Sequence, residues 1–411
     1  MRTTWSSKKD RRGVRLCGLS IFVEDGDTTL DSETMRSLPR HVLVHSDGRR
    51  LLVYGELRGS LDEEGPSAAA ESSEIHKRLD AFTETWVGIA PARNRRPLDS
   101  PAEGADAQGC PFCPGGIEVP FSYDAAVFDN RFPSFRPNPP PPPRLDGRTG
   151  RAQGRCEVAL YTDRHDTSFG ELSPVELVRV VAVWIDRARE LWADPAHAYV
   201  CVFENRGADV GATIAHPHGQ IYALDHVPPV TAAKSEAHHR HRRREGRCLS
   251  CAATQADELS DRVVSANESF AVAVPFAARW PFEVVVRARR HGLRRLADLD
   301  PEEQRDLAVA LRDVTRRYDA LFDFQLPYMM VAQEAPHDQP DWHLAFELYP
   351  VHRAPGVTKI RASVETGLGL FLNDVAPEDA ARQLARLAVP AEPIELDALF
   401  AVTQPNAAMI S

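Results

Sequence analysis

One ordered set of signals occurs twice along this chain, and it constrains the fold more than any other feature. In the first copy a C-x-x-C pair, Cys110 and Cys113, precedes Arg164-His165, a helix opening at Pro174, an apolar strand over residues 198–204 and a turn bearing His216 and His218. In the second, the same order runs Cys248 and Cys251, Arg290-His291, a helix from Pro301, a strand over residues 328–333 and His343. Insertions collect in loops, so shared order at unequal spacing is what a duplicated unit leaves behind. The chain reads as two fused copies of one α+β module.

The two helices support the repeat independently. Ser173-Pro174 and Asp300-Pro301 each set a side chain that can accept from a free backbone N–H just before a proline, which is tolerated at the first helical position. Leu177, Val181, Trp184, Ala188 and Leu191 then recur every three or four residues, as do Leu307, Leu311, Val314, Tyr318 and Leu321. Each series gives one apolar stripe suited to covering a sheet. The strand-like runs nearby are short and bounded by turns. Antiparallel sheets with helices packed on one face are therefore expected.

This reading divides the chain into a leader (1–75) with short strands near 41–45 and 50–54, a first module (76–232) and a second (233–411). The acidic, Ser/Ala-rich residues 61–73 are expected to form a mobile loop. The proline run 139–143 cannot enter a sheet interior and reads as a surface loop. The His/Arg-rich run 234–247 reads as a solvated linker or helix face.

With 411 residues, 43% of them apolar, the chain has material for a full core. A formal net charge of −10 argues against nucleic acid or an anionic membrane as the main partner. It leaves room for a phosphorylated ligand held by a local group of arginines. The N-terminal apolar run 16–23 is far too short to span a bilayer, and Glu24, Asp25 and Asp27 follow where a cleavage region would stand. A cytoplasmic location is expected, where the two C-x-x-C pairs read as metal clips before disulfides. Cys17, Cys156 and Cys201 read as inert thiols.

The sharpest chemical signal is Ala215-His216-Pro217-His218-Gly219-Gln220, between two strand-like runs. Pro217 fixes the backbone and Gly219 permits a close approach. In an extended segment His216, His218 and Gln220 point to one side, so one ring can be anchored while the other faces a ligand.

This run resembles that of the galactose-1-phosphate uridylyltransferases, a branch of the histidine-triad superfamily, and the likeness extends from about Thr85 to Leu384. It takes in, in order, residues 91–97 (PARNRRP), 110–113, 127–132 (VFDNRF), 203–207 (FENRG) and 277–283 (AARWPFE). The resemblance implies that His218 takes UMP from UDP-glucose as a covalent uridylyl-histidine and passes it to galactose 1-phosphate. Gln220 would hydrogen-bond a phosphate oxygen. It also implies zinc on Cys110, Cys113, His165 and His216, a Cys2His2 set usual for closed structural sites.

By the same likeness a second zinc would sit on Cys248, Cys251 and His291, with Asp341, His343 or His337 as fourth ligand. Some relatives bind iron through a histidine-rich segment that here reads Leu344-Ala345-Phe346-Glu347, so iron is not expected. Carried over by position, Arg93 and Arg96 would hold phosphate, Asn130 and Asn205 the nucleotide and phosphates, and Lys359 and Glu365 the sugar phosphate. Thr213 joins this substrate set. Lys359 would reach the partner subunit's site, which implies a homodimer. Two departures stand out: Ala212 and Thr213 replace the usual small Ser or Cys residues, and the chain from Gly367 differs from the best-known members. Two further readings stay open. One is an ADP-sugar phosphorylase or a nucleotidylyltransferase for another sugar 1-phosphate; the other is a zinc-stapled nucleotide-binding protein without activity.

Overall fold

The structure, a computed structural model, describes residues 13–16, 19–22, 40–55, 74–95, 109–387 and 389. The loop expected over 61–73, Arg96 and Cys17 lie outside the described residues. The two copies of the repeat meet edge to edge. Strand Tyr199–Arg206 of the first pairs with Tyr328–Gln333 of the second, in the register Phe203↔Val331 through Arg206↔Tyr328. Outward from this seam the order is mirrored. One side runs His218–Leu224, Gly154–Leu160, Ala125–Asp129, and the other Ala345–Pro350, Val284–Ala288, Phe270–Ala273. These pairings are all antiparallel. The leader strands Arg40–His45 and Arg50–Tyr54 extend the first half beyond Ala125–Asp129. A small separate sheet of His76–Asp80, Thr85–Ile89 and Thr149–Arg151 carries no signal that the repeat pattern foretold.

Helices Pro174–Ala193 and Pro301–Phe322 start where the sequence places them. Ser173 and Asp300 each accept from the backbone N–H three residues on, while Glu176 and Glu303 reach back to the cap, closing reciprocal boxes. Their apolar stripes are buried in one continuous core, except that Leu321 packs against it half-buried. Within it Trp184, on the first helix, stacks on Phe169 (6.0 Å between centroids) and on Phe346 of the second half's strand (5.7 Å). The halves thus share a core, each large apolar side chain withdrawn from water contributing roughly 1.5–3 kcal/mol.

Alternation along the strands sends Leu52, Tyr54 and Ala159 to this helix-covered face and Leu51, Val53, Val158 and Leu160 to the other. On that second face lies a smaller cluster with Phe112, Phe121 and Phe128, and Cys110 and Cys113 belong to it. The first C-x-x-C is therefore built onto the face of the sheet opposite helices Pro174–Ala193 and Pro301–Phe322. The His/Arg-rich run folds as helix Pro229–Glu245, and the second C-x-x-C opens helix Leu249–Glu258, which Cys248 caps by accepting from the Cys251 N–H. The proline run 139–143 stays outside helices and strands.

Candidate active site and metal centres

His216 sits at a bend just before the strand His218–Leu224 and is fully buried; His218, the strand's first residue, is half-buried. The donor atoms of Cys110, Cys113, His165 and His216 lie within 4.8 Å of one another. Cys113 Sγ stands 3.4 Å from His165 Nδ1 and 3.6 Å from His216 Nδ1. One thiol proton cannot serve two ring nitrogens. Around a tetrahedral zinc with ordinary bond lengths, sulfur and nitrogen ligands are separated by about 3.6 Å, so the set fits such an ion. His216 Nε2–H donates to the Thr162 carbonyl at 2.8 Å, with the Tyr123 hydroxyl at 3.0 Å, which leaves the lone pair on Nδ1, facing the sulfur. Burial pushes this ring down to about 4, so it is neutral.

The clip also shapes the surroundings of His218. Phe112, between the two cysteines, meets the His218 ring edge-on at 5.1 Å and the His216 ring at 6.2 Å. His218 Nδ1–H donates to the His216 carbonyl at 2.8 Å, so the lone pair resides on Nε2. Gln220 lies on the same side of the strand, with Phe203 as its cross-strand partner. Asn205 follows Phe203 by two residues and shares its side, and Thr213 is half-buried in the loop leading to His216.

Arg93 and Asn130 meet at Phe132. Arg93 donates to the Phe132 carbonyl (3.3 Å) and to the Tyr222 hydroxyl (3.2 Å), while Asn130 Oδ1 accepts from the Phe132 N–H (2.8 Å). Tyr222 is four residues along the strand from His218, about 13 Å at the rise of a strand. Arg93 is thus anchored toward the opposite end of the strand from the two histidines. Lys359 and Glu365 are brought together: Lys359 Nζ lies 2.9 Å from Glu365 Oε1 and also donates to the Leu372 carbonyl. Both are buried. Sequence reasoning missed Tyr123, the Thr162 carbonyl and the Phe112 ring, none of which has a motif of its own.

In the second half, the donor atoms of Cys248, Cys251, His291 and His343 come within 4.8 Å. Cys251 Sγ is 3.4 Å from His291 Nδ1 and 3.3 Å from His343 Nε2, again near the separation a tetrahedral ion imposes. Of the three residues considered as fourth donor, His343 is the one that lies in this group. Asp341 turns both carboxylate oxygens to Arg242 at 2.7 Å, and His337 lies against Trp192 with ring centroids 4.9 Å apart. Two residues past His343, where the first half has His218, stands Ala345; next on that side is Glu347, held by Lys234 at 2.5 Å and Gln333 at 3.1 Å.

The chain matches two family descriptions in succession: "Galactose-1-phosphate uridyl transferase, N-terminal domain" over residues 67–228 and the corresponding C-terminal domain over 222–395. The galactose-1-phosphate uridylyltransferase of Thermotoga maritima is 37% identical over 314 residues, covering 75% of this chain and 96% of its own. That of Streptomyces lividans is 31% identical over 369 residues, covering 84% and 96%. Among solved structures, a uridylyltransferase at 31% identity superposes with a TM-score of 0.68 over 75% of this chain and 97% of its own. An ADP-glucose phosphorylase from Arabidopsis thaliana, at 24% identity and TM-score 0.60 over 77% of this chain and all of its own, shares the fold.

Proposed function

The chain belongs to the galactose-1-phosphate uridylyltransferase family, and we propose that it moves UMP from UDP-glucose to galactose 1-phosphate through a covalent bond to His218. The observation that carries this reading is the 2.8 Å contact between His218 Nδ1 and the His216 carbonyl: a carbonyl only accepts, so the ring's proton sits on Nδ1 and Nε2 carries the lone pair. That lone pair attacks the α-phosphorus of UDP-glucose. The bond from phosphorus to the bridging oxygen breaks, and its electron pair leaves on glucose 1-phosphate. The uridylylated ring becomes cationic, and the His216 carbonyl, already accepting from Nδ1–H, stabilises that charge. A phosphate oxygen of galactose 1-phosphate then attacks the same phosphorus, the N–P bond breaks, and UDP-galactose departs with the ring neutral again.

Gln220, on the same side of the strand, donates to a nonbridging phosphate oxygen, and Asn205 and Thr213 border the same stretch. Arg93 and Asn130, joined at Phe132, suit the far end of the nucleotide sugar; Arg96 would act with Arg93. Cys110, Cys113, His165 and His216 would hold zinc, which when bound supplies a fixed anchor for His216. Cys248, Cys251, His291 and His343 would hold a second. No helix among the described residues is long and apolar enough to cross a membrane. A cytoplasmic setting suits the reduced C-x-x-C pairs.

The protein with UDP-glucose and galactose 1-phosphate is expected to form UDP-galactose and glucose 1-phosphate by ping-pong kinetics. Faster turnover of ADP-glucose with phosphate would replace this reading with an adenylyl-sugar phosphorylase. Binding of zinc and nucleotide with no exchange at any enzyme concentration would leave a binding protein.

A homodimer is part of the proposal. Ile360, Leu368, Leu370 and Leu372 are between 57% and 78% exposed in the segment that carries Lys359 and Glu365, an apolar concentration that suits a subunit contact. Sedimentation should give twice the chain mass, and a Leu368→Glu, Leu370→Glu double substitution should shift it to one chain mass. A wild-type protein that sediments as a single chain at micromolar concentration would exclude the dimer.

A further inference from the structure

Behind the strand that carries His218 and Gln220 lies a closed polar bridge. Phe203 pairs with Gln220, so Glu204 stands beside Gly219 on the opposite face, toward the helices. Glu204 is buried; Tyr161 donates its hydroxyl to Oε2 at 3.0 Å and Tyr328 donates to Oε1 at 2.9 Å. Tyr161 also touches the catalytic run twice. Its backbone N–H bonds the Pro217 carbonyl at 3.4 Å, and its hydroxyl oxygen lies 2.3 Å from where a Cβ on Gly219 would stand. Glycine at 219 therefore answers to this close approach, since its backbone is not left-handed. The Tyr161 ring is itself fixed edge-on against Phe169 (5.7 Å) and Trp184 (5.9 Å).

We propose that Tyr161, held by Glu204, is a positioning residue that sets the height of the Pro217–Gln220 backbone and so presents His218 and Gln220 to the substrate together. The proposal rests on the uridylyl-transfer reading above. Gly219 is the residue between those two side chains, and a displacement of its backbone carries both with it. In-line attack is sensitive to shifts well below an ångström, so a small loss of registration reaches the rate before it reaches binding. Tyr328 supplies the internal comparison. It donates an equivalent bond to the same carboxylate, but it comes from the second half, and it is not among the atoms nearest a Cβ at Gly219. A role confined to satisfying Glu204 would make the two phenols equivalent; positioning makes them unequal.

Tyr161→Phe and Tyr328→Phe, each keeping its ring, separate the two roles. Both should lower the melting temperature to a similar extent. The single-turnover rate of enzyme uridylylation at saturating UDP-glucose should fall about tenfold to a hundredfold in Tyr161→Phe, with KM for UDP-glucose within about twofold, while Tyr328→Phe stays within about twofold in both. Gly219→Ala, which drives a methyl onto the Tyr161 hydroxyl, should show the Tyr161→Phe pattern. Equal rate losses in the two Phe variants, an unchanged rate in Tyr161→Phe, or its unfolding at the assay temperature would each overturn the proposal. A wild-type protein that takes no label overturns the functional reading and this one with it; labelled wild type without the split overturns this one alone.

Discussion

His218→Ala protein is expected to carry no uridylyl group after exposure to UDP-glucose, and its exchange with galactose 1-phosphate should fall by at least about four orders of magnitude. No neighbouring group can take over. His216 is fully buried, its Nε2–H engaged by the Thr162 carbonyl and its Nδ1 turned to Cys113. Gln220 has no basic lone pair. The substitution removes the hydrogen bond to the His216 carbonyl, worth about 0.5–1.5 kcal/mol, and the edge contact with Phe112 from a half-buried position, so the variant should stay folded. Loss of activity can then be separated from loss of structure by its melting curve. In the wild-type protein the label should be lost in acid and kept in base, as a nitrogen–phosphorus bond requires. Label at wild-type stoichiometry in the variant would remove His218 from the chemistry.

The parts of this architecture that were legible in the sequence are those fixed by neighbours a few residues apart. Ser173 and Asp300 mark helix starts because a cap and its box close within three residues, and the stripes from Leu177 and Leu307 repeat on the helical period. The run His216–Gln220 reads as a candidate site because proline and glycine around two histidines have little use in ordinary packing. The seam was not readable. Nothing local in residues 199–206 says that Phe203 faces Val331, because that pairing is chosen by the shared core in which Trp184 meets Phe346.

The fourth donor of the second clip shows the same limit at smaller scale. Asp341 and His343 both lie at workable chain distances from Cys248. What decides between them is Arg242, which occupies the Asp341 carboxylate from a separate helix. Tyr123 is a further case: its hydroxyl reaches His216 only because the chain between residues 113 and 123 folds back over the clip.

The duplication also explains why one half is read as the reactive one. The mirrored sheet order brings His343 to the place of His216, Ala345 to that of His218 and Glu347 to that of Gln220. The second half therefore keeps a clip without a nucleophile, and its Glu347 is tied to Lys234 at 2.5 Å where the first half offers an amide. A carboxylate there would repel a phosphate oxygen, whereas Gln220 can donate to one. The half proposed to react and the other half differ on the strand after the clip; the clips themselves have the same donor set.

That likeness of donors, set against unlike burial, leads to the second large effect. Cys110, Cys113, His165 and His216 are all buried, at 9% exposure or less, the two cysteines within the cluster that includes Phe112 and Phe121; His291 is exposed and Cys251 only half-buried. A chelator must reach the ligands to remove an ion, so of two bound zinc equivalents the one on the second clip should be released first, with exchange activity kept within a few-fold. Release of the other should coincide with loss of activity and of the folded state. Structural zinc sites bind with about 10–16 kcal/mol, and emptying the buried one also leaves thiols and ring nitrogens without their common partner inside a packed cluster.

Cys113→Ser should accordingly cost one zinc equivalent, roughly 5 kcal/mol or more of stability and all measurable exchange, whereas Cys251→Ser should cost one equivalent and little rate. Metal analysis, melting curves and exchange assays on the two variants decide the matter. Protein that contains no zinc when purified without chelators would show that zinc on the buried clip is not what holds the Phe112–His216–His218 group together, and activity lost with the first equivalent released would overturn the expected order of release or the dispensability of the second clip.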